Sequence, residues 1–314
     1  MTALARRPAG ARWLYALKPA SWPKLLTPCL LGQAIGVAAA GGFDARALLV
    51  GAAFTLAGLC FIVLLNDWGD REVDRLKRAM FPDGCSPKTI ADGILPSAAL
   101  LRAGLACGAA ALLAAWLGAK WLQRPLLGWA GLGGMLVFCA YTLPPLQLNY
   151  RGGGELLEML GVGFVLPWFN AYAQAGAPWP RELWVLPGFA LLALASALAS
   201  TLSDEQSDRE GGKQTSATRF GNRATRLAVD GLVPAGLLAW ALGAWLVAGA
   251  RGVALIAPAV GVGFFHYRAQ LHSSAAAITN AFAAQGRYKA HLHRAIGQGA
   301  LLTAAALVVQ WRIA

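Results

Sequence analysis

The sequence predicts an all-α, polytopic membrane protein of about nine transmembrane helices. Three observations predict it. The 314 residues are 57% hydrophobic and only 13% charged, about half the charged share of a soluble domain. The charges gather into short stretches between apolar runs, each near the ~20 residues a helix needs to cross a bilayer. Basic residues then alternate in density from loop to loop, as membrane topology demands.

The apolar runs cover 22–41, 45–66, 97–118, 125–143, 155–175, 183–202, 227–249, 251–266 and 296–312, the eighth being short. Arg6, Arg7, Arg12, Lys18 and Lys24 precede or open the first, whereas the next loop has only Arg46. Segment 67–96 holds Arg71, Arg75, Lys77, Arg78 and Lys88, and 203–226 holds Arg209, Lys213, Arg219, Arg223 and Arg226. Arg268, Arg287, Lys289 and Arg294 follow the eighth run. The loops between are sparser: Lys120 with Arg124, Arg251 alone, and Arg312 in the tail, while Arg151 alone is uninformative. This pattern places the N-terminus and segments 67–96 and 203–226 on the cytoplasmic side of the cell (inner) membrane. The net charge of +12 is then a topology signal and an attraction to anionic lipid, not a nucleic-acid footprint. No cleavable signal peptide is visible, because the first apolar run continues as a span.

Cys29, Cys60, Cys107 and Cys139 fall in predicted spans and Cys85 in a loop, with no metal-ligand spacing among them. Free thiols are expected. His291 and His293 have no third ligand nearby in sequence and read as interfacial residues.

Carboxylates are scarce and concentrated. Ten of the 15 Asp and Glu residues lie within 67–92 and 204–210, at the ends of apolar runs. The first segment, LLNDWGDREVD, places Asn66, Asp70 and Asp74 at i, i+4 and i+8, one stripe on a continued helix. Asp67 lies to the side of that stripe. The second, TLSDEQSDREGGK, places Asp204 and Asp208 at i, i+4. Like charges on one stripe repel, and a divalent cation reverses the sign. All-oxygen ligands point to magnesium, which fills its octahedron with phosphate and water. Each segment is trailed by a small-residue loop with cations. Lys88, Lys213, Arg219 and Arg223 are candidates for diphosphate oxygens. The repetition of span, acids and basic loop suggests one domain of two related halves, roughly 18–145 and 150–314. A solvated helix end paired with Arg71 and Arg75 is the alternative for either segment alone.

At these residues the chain resembles the UbiA-type intramembrane prenyltransferases, and the resemblance implies a central cavity accessible from lipid among the nine helices. NDWGDREVD (66–74) matches the family's first aspartate motif, and Asp204 with Asp208 its second. KPASWPKLLTPCLLG (18–32) is similar to the family's opening, and YTLPPLQLNYRGGGELLEMLGVG (141–163) to its quinone-type members, which act on dihydroxynaphthoate. The wording of the first motif is also similar to that of chlorophyll synthases. Thr201, Leu202 and Ser203 stand where the family often has Asn, and Pro144 and Pro145 stand where hydroxybenzoate-type members often place a Lys.

The resemblance implies transfer of a polyprenyl group from its diphosphate to an aromatic or quinone-precursor acceptor, with Mg2+ as cofactor and pyrophosphate released. Asn66, Asp70, Asp74, Asp204 and Asp208 would then hold the metal, and Lys88 and Lys213 would complete the neutralisation of the diphosphate. Tyr141, Trp168 and Tyr172, with Trp68 and Phe169, become candidate walls for the allylic cation, and Glu155 or Asp67 a candidate base. A transporter, or a scaffold retaining the aspartate motifs, is the alternative. Acids at span ends and the absence of paired broken helices speak against transport. Oligomeric state, chain length and acceptor are not readable from the sequence.

Overall fold

The computed structural model describes Arg6, residues 8–83 and residues 86–313, with side chains as far as Val309. Arg7, Cys85 and the Arg312 side chain, used above, lie outside the described residues. Among the described residues the regular structure is all helical, with no strand. In order, the helices are α1 (Ala9–Leu17), α2 (Pro23–Ala40), α3 (Ala45–Gly69), α4 (Arg71–Met80), α5 (Ser97–Trp121), α6 (Leu126–Thr142) and α7 (Leu148–Arg151). Then come α8 (Gly154–Leu160), α9 (Leu166–Ala175), α10 (Leu186–Thr201), α11 (Glu205–Glu210), α12 (Ser216–Ser274) and α13 (Phe282–Ile313). A π-helical turn, Gly161–Val165, joins α8 to α9.

Among the described residues, 6 helices are long and apolar enough to cross a membrane. The expectation of nine is not met by that criterion. α6 has 17 residues, and α2, which carries Lys24 and Gln33, is not among the 6. The third difference is α12, one run of 59 residues. A straight helix of that length would reach about 90 Å, three times the hydrocarbon thickness.

It is not straight. Ala248 and Gly249 leave helical geometry, Gly249 at φ 59°, ψ −145°. Beyond them the chain returns along itself: Gln270 Nε2 donates to Asp230 Oδ1 at 3.2 Å, and Ser274 Oγ to Asp230 Oδ2 at 2.6 Å. On a straight helix, Asp230 and Gln270 would stand about 60 Å apart. α12 is therefore a hairpin, its turn at the boundary between two of the apolar runs. Gly249 has open space around it, so a side chain there is penalised by backbone strain alone. Gly249→Val is expected to cost about 1–3 kcal/mol, seen as a lower melting temperature in detergent. An unchanged melting temperature would contradict the hairpin turn.

Close helix packing uses small residues, as expected where lipid gives no hydrophobic drive between helices. At Gly36 of α2 a Cβ would stand 2.4 Å from the Ala171 carbonyl oxygen of α9. Two main apolar clusters result. One joins α10, α12 and α13 around the buried Trp240 and Tyr288, the other α3, α5, α6 and α9 around Phe54 and Phe169. Exposed Trp121, Trp129, Trp179, Trp184 and Trp245 lie near the helix ends remote from the acidic segments, where an interfacial aromatic belt belongs.

Candidate active site

The first acidic stripe survives a change of helix. α3 ends at Gly69 and α4 begins at Arg71, with Asp70 at the joint. The i to i−4 ladder runs through: Asp70 N donates to Asn66 O, and Asp74 N to Asp70 O, each at 2.8 Å. Asn66, Asp70 and Asp74 therefore keep one face. The second motif is held on α11, whose neighbouring loop approaches α4 so closely that a Cβ on Gly211 would meet Val73 Cγ2 at 2.6 Å.

Each of four aspartates has a lysine. Asp70 pairs with Lys213 at 3.0 Å, Asp74 with Lys88, Asp204 with Lys77, and Asp67 with Lys18. Two of these pairs link distant parts of the chain: Lys213 ties the loop after α11 to the first motif, and Lys77 ties α4 to the second. The two acidic segments thus share one set of cations. Burial and the nearby Asp204 and Asp70 push the Asp208 carboxyl up to about 7 against the pull of Lys213. Burial works against the charge on Lys88 as well, yet Asp74, Asp204 and Asp70 hold its ammonium above the ordinary range. Crowded carboxylates of this kind require cations beside them.

Among the described residues, no three His, Cys, Asp or Glu side chains gather closely enough to hold a metal ion. The donor set nevertheless suits a hard cation. It is all oxygen, and Asn149, which donates to Asp70 Oδ1 at 3.3 Å, leaves its own Oδ1 buried without a hydrogen-bond partner.

Beside the stripe, an apolar cavity of about 300 Å³ lies between α2, α3, α6 and α8. Phe61, Phe138 and Tyr141 line it, and Asn66 brings the first motif to its wall. The π-helical turn contributes Gly161 and Val162 to the lining, and such turns often mark functional sites.

Several expected residues are elsewhere. Trp168 donates its Nε1 to the Pro178 carbonyl at 2.7 Å and stacks on Trp179 and Tyr172, at the end remote from the acids. Neither Trp168 nor Tyr172 lines the cavity. Glu155 accepts from the Ser216 amide and hydroxyl, both at 2.7 Å, and so anchors the start of α12 instead of facing the cavity. Asp67 is buried against Lys18 and accepts from Thr89 Oγ1 at 2.6 Å. Arg219 and Arg223 are exposed on the first turns of α12, Arg219 lying against Phe220. The structure joins neither to the acidic cluster.

Residues 25–286 match the UbiA prenyltransferase family. The chain belongs to that family. Chlorophyll synthase of Oryza sativa subsp. japonica is 29% identical over 218 residues, 66% of this chain and 54% of that protein. The chain thus spans about half the length of the chlorophyll synthases it matches. The 1,4-dihydroxy-2-naphthoate octaprenyltransferase of Escherichia coli (strain K12) is 29% identical over 219 residues, 67% of this chain and 68% of that protein. The fold is shared with a UbiA homolog from Archaeoglobus fulgidus, solved bound to DMAPP and Mg2+. That match has a TM-score of 0.68 at 18% identity, over 93% of this chain and 99% of the homolog.

Within this UbiA fold, the sequence motifs missed Lys18, Lys77 and Asn149. Lys77 meets Asp204 across 127 positions and Asn149 meets Asp70 across 79, so no local spacing announces either. Tyr150 was also missed. Its ring lies 5.1 Å from Lys213 Nζ, which holds that lysine beside Asp70.

Proposed function

We propose that the chain transfers a polyprenyl group from its diphosphate to an aromatic or quinone-precursor acceptor within the membrane. The observation that carries this is the joining of both aspartate motifs by shared lysines, with Asn66 leading from them into an apolar cavity. The chain would cross the membrane nine times, counting α2, α6 and both arms of the α12 hairpin. Its N-terminus and both motifs would face the cytoplasm, as the basic loops direct.

Asn66, Asp70, Asp74, Asp204 and Asp208 would hold magnesium. Bound there, the metal would neutralise the diphosphate and the charge growing on the leaving pyrophosphate. Lys77, Lys88 and Lys213 give donors to the non-bridging oxygens, a role in which Lys77 replaces the exposed Arg219 and Arg223. The prenyl chain lies in the apolar cavity, entering from lipid. Phe61, Phe138 and Tyr141 exclude water and turn π faces toward the allylic carbon. The carbon–oxygen bond breaks with its electron pair leaving on pyrophosphate. The acceptor then bonds to the allylic carbon and gives up a proton, which the departing pyrophosphate takes.

One relative, the 1,4-dihydroxy-2-naphthoate octaprenyltransferase, is named for such a transfer and supports this reading. Purified protein in lipid nanodiscs, given geranylgeranyl diphosphate and a panel of aromatic acceptors, is expected to release pyrophosphate with magnesium and not with EDTA. Silence from folded protein across chain lengths and acceptors would contradict it and favour a transporter or scaffold.

A further inference from the structure

Arg219 stands out in the sequence, yet the acidic cluster does not use it. It lines a second cavity, of about 270 Å³, between Gly152 and Gly153, α8, α10 and the start of α12. The guanidinium lies across Gly152, so close that a Cβ there would stand 2.5 Å from Nη1. Among the described residues, no carboxylate pairs with Arg151, Arg219 or Arg223. Lys18, Lys77, Lys88 and Lys213 each have one. Glu155, the acid on the wall of this cleft, is already taken by the Ser216 amide and hydroxyl, where the N-terminus of α12 offsets its charge.

The other walls are apolar. Leu194 and Leu198 form an i, i+4 stripe on α10, while Leu156 is 56% and Phe220 67% exposed. α10 ends at Thr201, beside the second motif. Along its axis Leu198 lies about 5 Å inward of that end and Leu194 about 10 Å. A cation at the membrane boundary, with an apolar groove running inward from it, matches in order the phosphate and acyl chains of a phospholipid. A zwitterionic lipid would bring its own ammonium toward Arg219 and its neighbours, so net attraction selects an anionic headgroup. The cleft is at the small end for ligand sites and takes the headgroup and chain roots, leaving the chains in the bilayer.

We propose that this cleft binds an anionic glycerophospholipid of the leaflet on the motif side, with Arg219 holding its phosphate and Leu194, Leu198 and Phe220 the first carbons of its chains. Gln214, Thr215 and Ser216 wall the same cleft directly after Lys213, and the Gln214 amide donates to the Tyr150 carbonyl at 3.0 Å. The bound lipid therefore braces the loop that sets Lys213 against Asp70. The proposal is independent of what the active site transfers, and its test uses no substrate.

The full chain, stripped of lipid in detergent, is titrated with phosphatidylglycerol or phosphatidylcholine, and bound lipid is counted by native mass spectrometry. The wild type is expected to retain phosphatidylglycerol in preference to phosphatidylcholine, and to melt at a higher temperature with it. Arg219→Gln, at an exposed position, is expected to weaken phosphatidylglycerol binding roughly tenfold or more, the range of one charge-assisted hydrogen bond. It is also expected to lose the gain in melting temperature. Arg219→Lys, which keeps the charge, is expected to retain the preference for phosphatidylglycerol. Arg251→Gln, beside the hairpin turn of α12, is expected to bind as the wild type does. Equal retention of both lipids by the wild type would overturn the proposal. So would an equal loss in Arg251→Gln and Arg219→Gln, which would leave only a general attraction of basic loops to anionic lipid. Displacement of the lipid by inorganic phosphate would also overturn it, by making the cleft a site for a free anion.

Discussion

Asp70→Ala and Asp208→Ala are each expected to abolish transfer while leaving membrane insertion and folding intact. Asp70 occupies the joint between α3 and α4, where Asn66, Asn149 and Lys213 all donate to it. Asp208 faces the same cations from α11. Loss of one preorganised electrostatic group costs roughly 10²–10³ in turnover, and loss of a metal ligand adds the misplacement of the metal. Folding is expected to tolerate either change because Lys213 faces both Asp70 and Asp208 and keeps one of these carboxylates in each variant. Single-turnover transfer rates, with size-exclusion profiles as the folding control, check this. Near-normal turnover in either variant would remove that motif from the site.

Lys213→Met is expected to damage both stability and activity. Lys213 and Asp70 are each 10% exposed in their side chains, and their pair is 3.0 Å long. Removing one partner of a buried pair leaves the other charge uncompensated, at about 3–5 kcal/mol. The diphosphate loses a donor as well. Adding Asp70→Asn to Lys213→Met is expected to recover much of the melting temperature and none of the turnover. Full stability in Lys213→Met alone would mean that Asp70 has another counter-charge in the resting protein.

Much of this was legible in the sequence because a bilayer imposes length and apolarity on every crossing. The run ending at 249 stops at the real turn, Ala248–Gly249. The stripe of Asn66, Asp70 and Asp74 was legible because i, i+4 spacing survives the joint at Asp70. Depth was not legible. Trp168 and Tyr172 sit in an apolar helix, where nothing in the local sequence says which end of the bundle they face, and they belong to the end remote from the acids. The facing of Arg219 and Arg223 was equally hidden, because the chain leaves helical geometry between them at Gly221 (φ 82°, ψ 162°). The lysine partners were invisible for a different reason: Lys18 meets Asp67 across 49 positions and Lys77 meets Asp204 across 127. Glu155 looked available as a base until the start of α12 claimed both contacts from Ser216.

The central claim is that two acidic segments, far apart in sequence, form one diphosphate site. A double-mutant cycle of Asp70→Asn and Asp208→Asn tests it most directly, read as equilibrium binding of a non-hydrolysable prenyl thiodiphosphate with magnesium. A single shared site predicts strong non-additivity: either change alone loses nearly as much affinity as both together, as expected for groups that act as a unit. Losses that simply add, or a second motif whose change leaves affinity untouched, would contradict it.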